Sequence, residues 1–186
     1  MKFAVGDRRA SRKEEYFGGS LRIPRAAILL VLCYLPLCAP RSSAKETCPW
    51  LNEATAAGFL GASVTSVVTH PASNKDDATC EFTHQDKSEI TVLRIEVETM
   101  RAAPATAFAS YAARCGSDAT PLAAIGNEAI VCSLSGRKKQ ISDEVIGRVR
   151  DRAFTVRVSS TAESLDHSAL RLRARKVAEQ VAGFLF

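Results

Sequence analysis

The sequence predicts an α+β domain, with helices packed on an antiparallel sheet in the order α-β-β-β-α-β-β-β-α. Three observations lead to this prediction: Ala-rich runs that end at glycine, two alternating segments that fold back at polar turns, and a long amphipathic C-terminal segment. Helices that alternate with antiparallel hairpins are typical of layered α+β proteins. The chain has 186 residues, of which 46% are hydrophobic and 24% charged, and this suits one globular domain behind a leader.

The first helix and strand open the domain. The helix is Ala-rich, Asn52 or the earlier Thr47 can cap its start, and Gly61 stands where a glycine ends a helix. Residues 63–69 are rich in β-branched side chains and predict a short strand.

Residues 78–98 predict a hairpin with its turn at residues 86–89. This register places two apolar pairs on one face, Phe82 opposite Leu93 and Cys80 opposite Ile95. The other face receives Arg94, Glu96 and Glu98. A slip of one residue would scramble both faces, so the register is self-consistent.

A second helix is predicted over residues 103–115, and Gly116 ends it. Its apolar positions lie on one face: Phe108, Tyr111, Ala112 and Cys115. A loop then leads to a strand over residues 129–134.

The second hairpin is predicted over residues 141–159 with Asp151 and Arg152 at the bend. In this register an apolar face forms from Val149 opposite Phe154, Gly147 opposite Val156, and Val145 opposite Val158. The opposite face carries Arg148, Thr155, Ile146 and Arg157. One face therefore packs and the other meets water.

The last element is a helix from about Asp166, its predicted N-cap, to Gly183. Leu165 and Leu170 have the spacing of a hydrophobic staple. The predicted buried stripe consists of Leu170, Ala174, Val177, Val181 and Phe184, with Arg171, Arg175 and Glu179 largely outside it.

Residues 1–44 have the three parts of a cleavable signal peptide. A basic segment precedes the apolar run 26–40, and the small residues Ser42 and Ala44 favour cleavage before Lys45. The alternatives are an uncleaved membrane anchor and lipidation at Cys38. The apolar run is shorter than the ~20 residues that span a membrane, which disfavours the anchor. We expect residues 45–186 to be an exported domain, periplasmic or extracellular, whose membrane contact is a transient one through the signal segment.

Charge distribution excludes nucleic acid as a partner. Residues 1–44 hold eight Lys and Arg against three acids, whereas residues 45–186 hold 17 of each sign. The whole excess of +5 thus belongs to the leader, and the domain lacks the net positive charge that binds phosphate backbones.

Four cysteines belong to the domain, and an even number in an exported chain indicates two disulfides. Of the three possible pairings, the layout favours Cys48 with Cys80 and Cys115 with Cys132. The first pair joins the start of helix one to the core face of a strand, and the second joins the end of helix two to the next strand. Zinc is disfavoured because no pair has C-x₂₋₄-C spacing.

Several short motifs resemble a known family. They are Cys48-Pro49-Trp50-Leu51, Cys80-x-Phe82, and Pro121-Leu122-x-x-Ile125-Gly126-Asn127-Glu128-Ala129 leading to Cys132. The chain resembles small bacterial extracytoplasmic lipoproteins and secreted proteins of unknown function, and it is similar to the sensor domain of PknH-type receptor kinases. The resemblance implies a PsbP-like sandwich and the same two disulfides. The chain departs from the family in having Leu37 where a lipobox needs a small residue.

No catalytic, cofactor or metal set emerges from the motifs. G-x-S-x-G, H-E-x-x-H and G-x-G-x-x-G are absent from the sequence, and the three histidines lack ligand spacing. His84 and Glu128 are the acid/base candidates, and an ordinary structural role in a turn is the alternative for each. His167 is expected on the surface. We expect no cofactor.

Trp50, Arg148, Arg150 and Arg157 are the candidate ligand or surface contacts. Trp50 is the only tryptophan, and the arginines cluster about the second hairpin. The plainer interpretation of Trp50 is core packing, and that of the arginines is solvation of a sheet face. The leading hypothesis is a non-enzymatic, sensor-like binding module for an unknown ligand or envelope protein. A secreted hydrolase and a structural or adhesion protein are the alternatives.

Overall fold

The computed structural model describes residues 46–186 except 62, 72–73, 75, 102 and 135–138. The predicted signal peptide, its cleavage site and Cys38 lie outside the described residues. The helices are α1 (Glu53–Leu60), α2 (Pro104–Ala112) and α3 (His167–Leu185), with a 3₁₀ segment (Ala113–Asp118) after α2. The strands are β1 (Thr65–Thr69), β2 (Ala78–Asp86), β3 (Glu89–Thr99), β4 (Thr120–Leu122), β5 (Glu128–Leu134), β6 (Ile141–Val149) and β7 (Arg152–Ser160).

All seven strands form one antiparallel sheet in the order β1-β2-β3-β7-β6-β5-β4. Its centre is the junction of the two hairpins, where β3 pairs with β7 and Ile95 lies opposite Val156. The predicted α+β class with an antiparallel sheet is therefore confirmed. The predicted order lacked β4, because a three-residue strand containing Pro121 has no alternation to read and occupies an edge, where proline is tolerated.

Helices cover both faces of the sheet. α1 and α3 pack on the face that carries the main core. The largest side chains of that core include Phe82, Leu93, Phe154, Leu51, Ile95 and Leu170. On the other face, α2 and the 3₁₀ segment enclose a smaller cluster of Phe108, Cys115, Cys132 and Ile146.

The two disulfides are Cys48–Cys80 and Cys115–Cys132, the pairing that the layout favours. Their Cα–Cα distances are 5.7 and 5.6 Å. The first ties the chain before α1 to β2, and the second ties the 3₁₀ segment to β5. Each face of the sheet thus has one covalent link to the chain that covers it.

The register of the first hairpin matches the prediction, with Phe82 opposite Leu93. The predicted register of the second hairpin was wrong by two residues, since Gly147 pairs with Phe154 rather than Val156. The turn consists of two residues only, Arg150 and Asp151. Asn127 stabilises it because its Oδ1 accepts a hydrogen bond from the Arg150 amide at 2.6 Å. A shift of two keeps the alternation, so the residues predicted for each face stay together. The prediction that the second face meets water was wrong, because α2 and the 3₁₀ segment cover it and Ile146 and Thr155 are buried there.

Side-chain caps begin two helices as predicted. Asn52 accepts from the Thr55 amide at 2.8 Å, and Asp166 accepts from the Ala169 amide at 2.8 Å. α2 is shorter than predicted because the chain tightens into the 3₁₀ segment from Ala113. The predicted burial of Phe184 was wrong, because its side chain is 62% exposed.

The buried stripe of α3 is rotated toward two alanines, which explains the exposure of Phe184. Ala178 and Ala182 are buried along with Ala174 and Val181. At 100° per residue, this stripe runs toward Leu185 and leaves Phe184 at its margin.

Candidate functional site

The sequence-predicted contact residues do not form a common site. Trp50 is buried in the main core with 6% of its surface exposed. Arg148 Nε donates to Glu128 Oε1 at 2.6 Å, and Arg157 Nε donates to Glu144 Oε2 at 2.7 Å. Two of the three arginines thus have a carboxylate each, and the positive charge of this hairpin is largely neutralised.

Two adjacent carboxylates on β6, Asp143 and Glu144, are both fully buried. Neighbouring residues of a strand point to opposite faces, so Asp143 faces α3 and Glu144 faces the α2 side. Neither carboxylate is among the site residues predicted from the sequence. The signal was available, because consecutive acids in the middle of an apolar strand put one carboxylate on the core face in either register.

Asp143 is the centre of a polar network between the sheet and α3. Its Oδ2 lies 2.7 Å from His167 Nδ1, and its Oδ1 accepts from Ser133 Oγ at 2.7 Å. Arg171 completes the network, with Nε 3.4 Å from Asp143 Oδ1 and Nη2 donating to Ser133 Oγ at 2.9 Å. His167 and Arg171 reach one carboxylate because residues four apart lie on one face of a helix.

The network fixes the orientation of the His167 ring. Because Nδ1 points at a carboxylate, Nδ1 carries the proton and donates it, and Nε2 is directed away from Asp143. The side chain of His167 is 48% exposed. Ser133 bonds to the carboxylate and to Arg171, so the three groups do not have the serine-to-histidine contact of a Ser-His-Asp triad.

An open groove of about 480 Å³ lies over this network, between the first turns of α3 and the β4–β5 edge. Its side chains are of two kinds. The apolar ones are Leu122, Val131 and Leu172, and the polar ones are His167, Ser168, Arg171 and Arg175. Volumes of ~300–1,000 Å³ are usual for small-molecule sites. The groove therefore combines an apolar surface with a basic stripe, which consists of the guanidinium groups of Arg171 and Arg175 on α3. The buried carboxylate of Asp143 orients the first of them.

Arg175 extends that stripe by one helical turn. Its Nε donates to Glu179 Oε1 at 3.0 Å, a bond that does not use the two terminal nitrogens. Both side chains are about half exposed, 49% and 48%. Exposed ion pairs at i, i+4 are worth only ~0.3–0.5 kcal/mol, so Arg175 can exchange this partner for a ligand at little cost.

Glu144 serves the opposite face. Its Oε2 bonds to Arg157, while Oε1 lies 3.7 Å from Arg114 Nη2 and has no hydrogen-bond partner among the described residues. Arg114 instead donates to Thr155 Oγ1 at 2.7 Å. Since Arg114 adjoins Cys115, this cluster holds the 3₁₀ segment on the sheet beside the second disulfide.

Tyr111 of α2 adds a further link on that face. Its hydroxyl donates to Glu98 Oε2 at 3.0 Å. Burial, together with the Glu98 acceptor, raises the pKa of Tyr111 above its ordinary value of 10.0.

The acid/base candidates His84 and Glu128 lie far apart. They belong to β2 and β5, with three strands between them. His84 Nδ1 contacts the Ser63 carbonyl oxygen at 3.0 Å, and Glu128 is paired with Arg148. Neither residue lines the groove at α3.

Two general features of the described residues bear on the class of site. Among them, no group of three or more His, Cys, Asp or Glu is placed to hold a metal ion. None of the helices that the structure describes is long and apolar enough to cross a membrane.

Comparisons with known proteins leave the family open. No family model matches the chain, and no curated protein or solved structure matches it either. The likeness to PknH-type sensor domains and the PsbP-like label therefore stay predictions.

Proposed function

We propose that this chain is an exported, non-enzymatic binding module, periplasmic or extracellular, and that its ligand occupies the groove at the start of α3. The two disulfides support the compartment, because such links are more typical of exported proteins. One observation carries the function: a buried carboxylate orients His167 and Arg171 toward a groove of small-molecule size.

The burial of Asp143 supports a positioning role. A buried ion pair adds little net stability, because desolvation of the charges offsets their attraction. The Asp143 carboxylate acts here through geometry, because it fixes the ring of His167 and the guanidinium of Arg171, and both side chains line the groove. Binding sites need polar groups whose orientation is set before the ligand arrives.

A ligand screen with matched variants tests this proposal. Small molecules are screened by thermal shift against the disulfide-intact protein, and hits are located by NMR from the Leu172 and Val131 methyl signals. We expect hits that perturb both methyls and that weaken in Leu172→Gln. Arg173→Gln, on the same helix but outside the groove, is the control and should bind as the wild type does. A screen whose hits all bind elsewhere, or which yields none, would contradict the proposal.

A secreted hydrolase is the second candidate, because the Asp143–His167 bond leaves Nε2 able to take a proton from water. Steady turnover of p-nitrophenyl acetate that His167→Gln abolishes would favour this enzyme over a binding module. Equal rates for the two proteins would remove its support. The adhesion alternative stays a prediction, and its measurement is self-association by analytical ultracentrifugation.

A further inference from the structure

We infer that the groove binds a small amphiphilic anion, an alkyl chain that ends in a carboxylate or a phosphate. This inference rests on the proposed function and names the ligand class for the same site. It follows from three properties of the groove: the sign of its charge, the spacing of its donors, and the apolar surface beside them.

The charge of α3 favours an anion. The helix carries Arg171, Arg173, Arg175 and Lys176 against a single acid, Glu179. Asp143 offsets the charge of Arg171 from below, so α3 and its buried partner together keep four cations against two acids, Asp143 and Glu179. Glu179 pairs with Arg175 while about half exposed, and it does not line the groove.

The donors have the spacing of one helical stripe. Arg171 and Arg175 stand at i and i+4, ~6 Å apart along α3, and His167 lies one turn before them with Nδ1 bonded to Asp143. Arg171 uses Nε for Asp143 and one Nη2 bond for Ser133, whereas Arg175 uses only Nε, for Glu179, so terminal N–H groups remain on both guanidinium groups. Guanidinium groups match the planar oxygens of carboxylates and phosphates, so an anionic head group can bridge neighbouring positions of the stripe.

The apolar surface requires a hydrocarbon part in the ligand. Leu172 is 54% exposed although it is a large apolar side chain, and the half-buried Leu122 lies across the groove from α3, with the buried Val131 at its floor. A bare anion such as inorganic phosphate would leave this surface in water. A neutral alkyl compound would gain nothing from the remaining N–H groups of Arg171 and Arg175, and an alkyl cation would meet like charges. Only an amphiphilic anion satisfies both surfaces.

Four decyl compounds test the inference, each used below its micelle concentration: decanoate, decyl phosphate, decanol and decyltrimethylammonium. Affinities are measured by calorimetry on the disulfide-intact protein, and binding is placed by the Leu172 and Val131 methyl signals. We expect both anions to bind about tenfold or more tighter than decanol, and the cation not to bind. The tighter of the two anions identifies the head group, carboxylate or phosphate, that the site prefers.

Variants separate the two surfaces. Arg175→Gln should weaken both anions about tenfold and leave decanol unchanged, whereas Leu172→Gln should weaken all decyl compounds that bind. Arg173→Gln makes the same change of charge on the same helix outside the groove and should have no such effect. Far-ultraviolet circular dichroism of each variant verifies that the fold is kept.

Two results would overturn the ligand class. Equal affinity for decanol and the anions, or equal weakening by Arg175→Gln and Arg173→Gln, would remove the role assigned to the basic stripe. If compounds of another class still perturb the Leu172 and Val131 methyl signals, the proposed ligand class is wrong but the groove is still a binding site. If no compound of any kind perturbs them, the ligand class and the proposed function both fail.

Discussion

Gly147 and Phe154 face each other across the β6–β7 hairpin, and the phenyl ring occupies the space where a side chain at 147 would lie. A Cβ built at this position would be 2.2 Å from Phe154 Cζ and 2.6 Å from its Cε1. Phe154 is one of the largest fully buried side chains and cannot move without disturbing the main core. Glycine is thus required here by contact rather than by backbone conformation.

Gly147→Ala should lower the free energy of unfolding by about 1–3 kcal/mol, the usual cost of overpacking a core. Urea denaturation monitored by circular dichroism measures the change. Gly58→Ala is the control, since Gly58 is an exposed helical position in α1 with no atom within 4 Å of the added Cβ. It should raise stability by about 0.5–1 kcal/mol, and a similar loss in both variants would contradict the argument.

Asp143 and Glu179 are a buried and a half-exposed carboxylate that each pair with an arginine of α3. Asp143→Asn removes the charge that faces the half-exposed His167 and Arg171, weakens their hydrogen bonds, and should lower the free energy of unfolding by about 1–3 kcal/mol. Glu179→Gln breaks only the half-exposed pair with Arg175 and should cost ~0.5 kcal/mol or less. The urea midpoints of the two variants measure these changes. Equal midpoints would mean that the Asp143 network stabilises the fold no more than a surface ion pair does.

At the scale of the element, the start of α3 is set by the Asp166 cap. Its Oδ1 accepts from the Ala169 amide and from the Ser168 hydroxyl, both at 2.8 Å. These two bonds, the amide first, lower the pKa of Asp166 below its ordinary value of 3.8. The cap also places His167 as the first residue of the helix, one turn before Arg171, so both side chains reach Asp143 from one face of α3.

Asp166→Asn keeps an acceptor at the cap and removes its titration. Because the folded pKa is below 3.8, the stabilisation by the ionised form is complete above that pH and is lost as the pH falls through the folded value. The difference in Tm between wild type and variant should therefore be constant at neutral pH and shrink in acid. Differential scanning calorimetry from pH 2 to 7 measures it, with Asp86→Asn at the exposed end of β2 as the control. A difference that grows in acid would contradict the argument.

The elements that the sequence predicted correctly are those whose signals are local. Asn52 and Asp166 cap through residues three positions away, and the first hairpin turns at its own polar residues. The turn of the second hairpin was predicted one residue late, which shifts the register by two, because Asn127, on a distant part of the chain, holds the tight turn. Long-range contacts of this kind have no local pattern.

The candidate site escaped prediction for the same reason. The spacing of His167 and Arg171 on one helical face is visible in the sequence, and so are the consecutive acids of β6. What joins them is the packing of α3 over β5 and β6, which brings Ser133 and Asp143 under the helix. Only the fold shows that a helix stripe predicted to face solvent has a buried carboxylate behind it.

At the scale of the whole molecule, two disulfides staple a sheet of seven strands to the chain on both of its faces. They close 32 and 17 residues. In the chain-entropy view, each removes freedom from the unfolded chain and contributes ~3 kcal/mol.

Cys115→Ser with Cys132→Ser should therefore lower the free energy of unfolding by ~3 kcal/mol, and reductant should then have a smaller further effect than it has on the wild type. Urea denaturation with and without dithiothreitol measures both changes. A double variant as stable as the wild type would show that the second disulfide does not constrain the unfolded chain.

Export and pairing are tested together in protein recovered from its own host. Processing before Lys45 predicts an intact mass that starts there, and a non-reducing peptide map with Cys48 linked to Cys80 and Cys115 linked to Cys132. The domain would then reach its compartment with net charge zero, since the excess of +5 leaves with residues 1–44. A basic stripe on a neutral domain attracts a small anion locally and gives no general attraction to polyanions. A full-length mass with free thiols would contradict this account, because the basic leader would then stay on the protein and supply the polyanion attraction that the domain itself lacks.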